Sequence, residues 1–210
     1  MRYLLLSTPI LLLAALAPVA HAQAPQAAPP PEAAPQTSAP PAESAIPAPS
    51  TRKPLDTLFE ALKRERDPEK AKGVASQIIA EMNDSGSATV NLLMQWSAEA
   101  IKEKKNAAAL DFLDRVTLLD PAFTEGWNRR ATLHYTMGDR RKSMADIAEV
   151  LKREPRHFGA LAGLAGIFME AEDDELALKA WERYLNVYPA DRDAQEAVSK
   201  LSEKIAGNRT

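Results

Sequence analysis

Residues 125–139 read "EGWNRRATLHYTMGD", which places Trp127, Ala131 and Tyr135 four residues apart, ahead of a Gly-Asp pair. Residues four apart share one face of an α-helix, so the stretch predicts a helix with a large, a small and a large side chain on one face. Gly138 tolerates the left-handed conformation that ends such a helix, and Asp139 can cap the next helix.

The size pattern recurs with a period of 34 residues. The prolines that mark the period are Pro121, Pro155 and Pro189. Ala131 and Ser143 map onto other small residues, namely Ser97, Ala165, Ala75, Ala109 and Ala177. Ile147 maps onto large residues, namely Ile79, Leu113 and Trp181. Small residues that face large ones let paired helices approach closely, so the period predicts a helical repeat.

This pattern resembles the tetratricopeptide repeat, whose signature is Trp-x2-Leu-Gly-x2-Tyr, then Ala-x3-Phe, then Pro. The third unit reads "WNRRATLHYTMGD", "SMADI" and Pro155, and the fourth reads "LAGLAGIFMEAEDD", "ALKAW" and Pro189. The second reads "LMQWSAEAIKEKK", "ALDFL" and Pro121. A degenerate first unit lacks the closing proline but keeps Leu62, Ala75, Ile79 and Met82.

The resemblance implies an all-α fold, a right-handed α-solenoid of about four helix-turn-helix repeats with a C-terminal capping helix. The expected domain covers residues 54–206, with repeats near 56–88, 90–121, 124–155 and 158–189 and the capping helix at 191–206. Two departures stand out. Lys104 and Lys105 replace the Gly-Asp turn, and Arg130 replaces the usual Leu. We expect Arg130 to lay its stem on apolar surface with its head in water.

The N-terminal region differs in composition from the repeats. Residues 1–22 combine Arg2, an apolar run and a final "AHA", which is the pattern of a signal peptide cleaved after Ala22. Residues 23–53 are rich in Pro and Ala and predict a disordered linker. The protein is therefore expected in the periplasm or secreted, as an exported bacterial type, with no membrane span after cleavage.

Chemistry-bearing residues are few. The chain has no cysteine, and its formal net charge of −3 does not favour nucleic acid as a partner. Of its histidines, His134 is expected to be packed in a helix and His157 to lie on the surface. No phosphate-binding glycine loop, nucleophile motif or metal-ligand spacing is present. The sequence thus predicts no enzyme, no cofactor and no metal.

A partner-binding surface follows from the resemblance, because the first helix of each repeat lines the concave side of such solenoids. The positions expected in this groove are Asn91, Met94, Ile101, Glu125, Asn128, Thr132, Tyr135, Gly159, Gly166 and Met169. Related domains that clamp a C-terminal carboxylate carry Lys or Arg there, and only Arg64 fits, so that mode is not expected. Gly163 is assigned to helix packing.

The function expected from these observations is a periplasmic adaptor that binds a protein or peptide in the groove. The alternative is a structural subunit of a cell-envelope or secretion assembly. The two differ in self-association, since an adaptor should be a folded monomer, and a monomer is expected.

Overall fold

The computed structural model describes residues 52–207, and this range contains nine α-helices and no strand. The helices are α1 (Arg52–Arg64), α2 (Pro68–Asn83), α3 (Ala88–Lys102), α4 (Asn106–Leu119), α5 (Thr124–Thr136), α6 (Arg140–Arg153), α7 (Phe158–Glu170), α8 (Asp174–Val187) and α9 (Arg192–Gly207). They pair as α1–α2, α3–α4, α5–α6 and α7–α8, with α9 packed on α8. The all-α repeat architecture predicted from the 34-residue period is confirmed. The signal peptide and nearly all of the predicted linker lie outside the described residues.

The turn inside each of three helix pairs repeats at the same spacing. Lys104, Gly138 and Glu172 are 34 residues apart and take positive φ values of 59°, 83° and 58°. In each turn the next residue donates its backbone N–H to a carbonyl five residues earlier, as in Asp139 to His134 at 2.9 Å. Lys104 therefore forms the same turn as Gly138. Because lysine has a Cβ atom, its left-handed conformation is strained, whereas that of glycine is not.

The small-facing-large packing predicted from the sequence is present in the core of the later repeats, but in the first unit the prediction for Ile79 is wrong, since it is 48% exposed and Ile78 is buried instead. Ala131 and Ser143 are 2% and 1% exposed, and Ile147 is 4% exposed. Gly126 shows how closely successive pairs stack, because a Cβ atom there would lie 2.5 Å from Val116 Cγ1. Helix α5 thus approaches α4 at a distance that excludes any side chain at this position.

The α1–α2 pair departs from the linear array. In a linear solenoid each repeat contacts only its neighbours, but here α1 packs against α8 and α2 against α5. One hydrophobic cluster joins the two parts of the chain, including Phe59 and Ile78 from the first pair and Leu161 and Tyr188 from the last. The first pair therefore folds back onto the later repeats.

The junction between α2 and α3 explains this reversal. Asp120, Glu154 and Tyr188 occupy one position in three successive junctions, with φ values of −134°, −133° and −126°. The residue that caps the end of α2 is Asp84, with a φ of −93°, and the difference lies two residues later, where Gly86 has a φ of +72° and the corresponding residues of the later junctions have no positive φ. Because left-handed backbone turns the chain in another direction, α1–α2 leaves the junction on a different course from the later pairs.

Helix α9 closes the C-terminal end of the stack. Ala194 and Leu201 of α9 are 1% and 5% exposed. Just before α9, Asp191 accepts a hydrogen bond from the Tyr184 hydroxyl at 2.6 Å and also accepts the backbone N–H groups of Asp193 and Ala194. The amphipathic pattern of residues 191–206 thus forms the helix that the sequence predicts at this end.

Candidate functional site

The predicted groove residues of α3 are engaged inside the protein. Asn91 accepts hydrogen bonds from the Ser85 backbone and hydroxyl, and donates to Asp84 at 2.8 Å. Met94 is 5% exposed in the core around α3 and α4, and Ile101 is partly buried against that core. These side chains hold α3 to the preceding turn and to its own core.

The predicted residues of α5 form two polar groups. Near its start, Glu125 accepts from Asn128 at 3.1 Å and lies 3.1 Å from His157 Nε2. Near its end, the Tyr135 hydroxyl donates to Glu170, which also accepts from Arg140 at 2.7 Å. Hydrogen bonds from Tyr135 and then Arg140 hold the pKa of Glu170 below its ordinary value.

Thr132 lies between these two groups on α5 and is exposed. Its hydroxyl donates to the Asn128 carbonyl four residues earlier at 3.0 Å, so it presents its methyl group and a satisfied hydroxyl to solvent. The middle of α5 thus offers a polar surface whose own hydrogen bonds are largely made.

The predicted groove residues of α7 are accessible from the surface of the protein. A Cβ atom on Gly166 would meet nothing within 4 Å, and Met169 is 45% exposed. Gly159 is exposed, beside the His157 ring. A Cβ atom on Gly163 would lie 3.6 Å from Ile147 Cδ1, which is an ordinary contact, and Gly163 is exposed, so packing does not require a glycine at this position. Gly166 and Met169 therefore remain accessible to a partner.

A surface cleft of about 510 Å³ continues from Met169 toward α9. The side chains that line it are Met169, Asp174, Asp193, Glu196, Ala197, Lys200, Leu201 and Lys204. Its rim holds two ion pairs, Lys204 with Asp174 at 2.8 Å and Lys200 with Glu196 at 2.6 Å. An apolar floor with paired charges at its edge suits an apolar side chain better than an ion.

The folded-back α1–α2 pair lies against α5 and the start of α7. Arg129 of α5 donates to Asn83 at 2.7 Å. Arg156, two residues before α7, binds Asp56 at 2.7 Å and lies 4.3 Å from the centre of the Phe59 ring. These contacts involve the middle of α5 and the residues just before α7, whereas Gly166 and Met169 near the end of α7 stay open.

Two expectations for individual residues are wrong. His157 was expected on the surface, but it is 3% exposed because its Nδ1 atom caps α7 by accepting from the Ala160 backbone. Arg130 was expected to hold its head in water, but it binds Asp146 through two hydrogen bonds, of 2.9 and 2.7 Å, and also reaches Asp114. His134, expected to be packed, is 9% exposed.

Sequence reasoning also missed Asp146, a buried carboxylate in the "SMADI" segment. Its position in the repeat normally faces inward. The signal in the sequence was therefore a charged residue at an inward-facing position in each of two paired helices, Arg130 in α5 and Asp146 in α6. Within residues 52–207, no group of three or more His, Asp or Glu side chains is arranged to hold a metal. Over the same range no helix has the length and apolar character needed to span a membrane.

No protein-family model matches this chain. The chain is 62% identical over 161 residues to a TPR repeat-containing protein of Rhizobium etli, an alignment that covers 77% of this chain and 79% of that protein. The stacked helix pairs define a helical-repeat protein. The identity to this relative shows that the chain belongs to the tetratricopeptide-repeat proteins. The repeats of such proteins typically serve in protein–protein interaction.

Solved structures share the fold at low identity. The first TPR domain of Spaghetti (RPAP3), bound to the HSP90 peptide SRMEEVD, matches with a TM-score of 0.53 at 19% identity, over 57% of this chain and 95% of that chain. The Sgt2 TPR domain from Aspergillus fumigatus matches with a TM-score of 0.53 at 18% identity, over 59% of this chain and 84% of that one. These likenesses show the fold alone.

Proposed function

We propose that this protein is an exported periplasmic adaptor that binds a segment of a protein partner at the C-terminal half of its concave surface. The observation that carries the proposal is the open surface formed by Gly166, the exposed Met169 and the cleft beside α9. The HSP90 peptide bound to a neighbouring fold gives a precedent for peptide binding by such a domain.

The chemistry of this surface favours an extended segment with an apolar side chain. Gly166 lets a partner backbone approach α7 closely, since nothing occupies the space beside it. Met169 is flexible and polarizable, so its side chain can adapt to the inserted group. Its sulfur also accepts a hydrogen bond from Trp181 Nε1 at 3.4 Å. The cleft then receives the side chain, and its rim charges are already paired.

The groove assignment predicts different results for two substitutions at one position. Gly166→Ala should raise helix stability by up to ~1 kcal/mol, because nothing obstructs the added methyl. Gly166→Leu should keep the fold but abolish recovery of the partner by cross-linking in intact cells. Gly73→Leu is the matched control, since Gly73 is an exposed helical glycine on α2 with equally open surroundings.

Each failure of this experiment has a distinct meaning. Partner recovery unchanged by Gly166→Leu would place binding elsewhere on the protein. Loss of folding in Gly166→Leu, but not in Gly73→Leu, would assign Gly166 to packing and contradict the groove assignment.

Export predicts a defined mature protein. Cleavage after Ala22 should give a chain that begins at Gln23 and fractionates with the periplasm or medium without detergent. Intact-mass measurement of the protein recovered from cells decides the point, and a mass that includes residues 1–22 would contradict it.

A further inference from the structure

Acidic charge is concentrated in the last part of the described chain. Residues 157–207 hold ten acidic and five basic residues, a formal net charge of −5. Residues 52–156 hold seventeen acidic and nineteen basic residues, a formal net charge of +2. The cleft beside α9 is formed by residues 169–204, so it lies in the acidic part of the domain. A charge excess of this kind attracts basic segments and repels acidic ones.

Besides the two ion pairs at its rim, the cleft has a third carboxylate, that of Asp193. The basic residues in its lining are Lys200 and Lys204, and their ion pairs already engage both of them. The Asp193 carboxylate is exposed and makes no hydrogen bond or ion pair with another side chain within residues 52–207. The cleft therefore has an acidic group that is free to pair with a cation from outside.

A second exposed carboxylate lies near the same rim. Glu172 occupies the left-handed position of the turn between α7 and α8. The hydrogen bond to Asp174 raises the pKa of Lys204, and the charge of Glu172 raises it further. Glu172 is thus within electrostatic reach of the cleft, at the side that the α7–α8 turn forms, whereas Asp193 lies at the start of α9.

The floor of the cleft asks for an apolar group. Met169, Ala197 and Leu201 form it, and Met169 is 45% exposed. A free cation gains nothing from such a floor, whereas an apolar side chain that covers it removes apolar surface from water. The surface therefore suits a ligand that is apolar at one point and basic beside it.

The same charges argue against other occupants. The chain has no lysine or arginine between residues 3 and 51, and its charged residues there are Glu32 and Glu43. Its own N-terminal region therefore lacks the charge that would complement the cleft. Nucleic acid, anionic lipid and acidic peptides are disfavoured for the same reason, because each would bring further negative charge to an acidic surface.

We propose that the cleft beside α9 binds a basic segment of a protein partner. An apolar side chain of the segment enters the cleft, and neighbouring lysine or arginine side chains face Asp193 and Glu172. This inference rests on the proposed function and specifies the chemistry of its partner.

The first test compares designed peptides that bind the purified protein, measured by fluorescence anisotropy. The basic probe is Ser-Lys-Lys-Leu-Lys-Lys-Ser. It should bind about tenfold more tightly than the same peptide with Ser in place of Leu, because the cleft buries the leucine. It should also bind at least about tenfold more tightly than the peptide with Glu in place of every Lys. Added salt should weaken its binding, since exposed charges are screened.

Substitutions in the protein locate the binding. Asp193→Asn should raise the dissociation constant of the basic probe about threefold, and Asp193→Lys about tenfold. Glu172→Gln is a second variant with the same expected direction. Asp111→Asn and Asp111→Lys are the matched controls, since Asp111 is an exposed aspartate on α4, a helix that does not line the cleft. They change the net charge equally and should leave the dissociation constant nearly unchanged.

Several results would overturn this inference. They are no binding of the basic probe up to millimolar concentration, equal binding of the basic and acidic peptides, and equal binding of the Leu and Ser peptides. Equal effects of the Asp193 and Asp111 variants, all folded by circular dichroism, would place the basic probe elsewhere on the protein. Self-association that Asp193→Lys abolishes would make a second copy of the chain the occupant.

Failure of this inference is distinguishable from failure of the proposed function. If Gly166→Leu abolishes recovery of the partner in cells but the peptides show no preference for basic charge, the groove assignment stands and the basic segment is wrong. If Gly166→Leu leaves partner recovery unchanged, the groove assignment fails, whatever the peptides show.

Discussion

Replacing Arg130 with Met is expected to lower the free energy of unfolding by about 3 kcal/mol, because the change leaves a buried carboxylate unpaired. The side chains of Arg130 and Asp146 are 17% and 7% exposed, and the guanidinium meets both carboxylate oxygens. The same guanidinium binds Asp114 at 2.7 Å and the Thr117 hydroxyl at 3.0 Å. One side chain therefore joins α4, α5 and α6.

The electrostatics of this network agree with that expectation. Hydrogen bonding to Asp146 raises the pKa of Arg130, and burial opposes it only in part. Methionine keeps most of the stem's apolar volume but loses the guanidinium, which also lies 4.8 Å from the centre of the Trp127 ring, so the loss reports chiefly on the charge. The nearest remaining cation for Asp146 would be His134, whose Nε2 atom lies 3.9 Å away and could compensate only when protonated.

Two further variants separate the ion pair from general surface effects. Arg140→Met breaks an exposed pair with Glu170, in which the side chains are 57% and 40% exposed, and should cost less than about 1 kcal/mol. Arg130→Met combined with Asp146→Leu should recover most of the lost stability, because no uncompensated charge stays buried. Urea denaturation followed by circular dichroism measures all of them. Equal losses for Arg130→Met and Arg140→Met would show that the network contributes no more than a surface pair.

The sequence predicts well what is decided locally. The 34-residue period fixes which residues are small or large on each helix face, and that pattern determines how two neighbouring helices pair. The turn at Lys104 keeps its form without glycine because the paired helices on either side determine it. The same local logic predicts α9 from its amphipathic spacing.

The placement of α1–α2 is not local, and sequence reasoning missed it. Leu62, Ala75 and Met82 keep the sizes that a helix pair needs, but those sizes do not say where the finished pair will dock. The missing closing proline and Gly86 were visible, yet neither indicates that α1 will pack against α8, which begins more than 100 residues after α1 ends. His157 was misjudged in part for a similar reason, since Glu125 belongs to the preceding repeat. Its cap to the Ala160 backbone is local, at the start of α7, and was missed although the sequence contains it.

For the groove, sequence predicts the helix faces but not their accessibility. Gly166 and Met169 are open, whereas Met94 occupies the equivalent face of α3 and is buried in the core. The difference comes from the neighbours of each helix: the α3–α4 core surrounds Met94, whereas Met169 borders the open cleft beside α9. A one-dimensional repeat pattern contains no information on such contacts.

Ending the chain after Asp191, so that α9 is absent, is expected to lower the free energy of unfolding by at least about 3 kcal/mol. The truncation exposes the side of α8 that α9 covers and removes the burial of Leu201, which by itself accounts for about 1.5–3 kcal/mol. Keeping Asp191 preserves the hydrogen bond that it accepts from Tyr184, so the change reports on apolar packing. The loss should reach the first repeat as well, because Tyr188 and Phe59 belong to one hydrophobic cluster.

That last consequence distinguishes this fold from a linear array. In a linear array, removal of the C-terminal cap should destabilise the last repeat most and leave the first repeat unaffected. Here the α1–α2 pair rests on α8 and α5, so hydrogen exchange in α1 and α2 should rise together with exchange in α8 when α9 is removed. Leu201→Ala should give a smaller loss in the same direction, about 2–3 kcal/mol. Deleting residues 23–49 is the control and should change stability by less than about 0.5 kcal/mol. Exchange that rises in α8 but not in α1 and α2 would show that the folded-back contact does not couple the two ends of the domain.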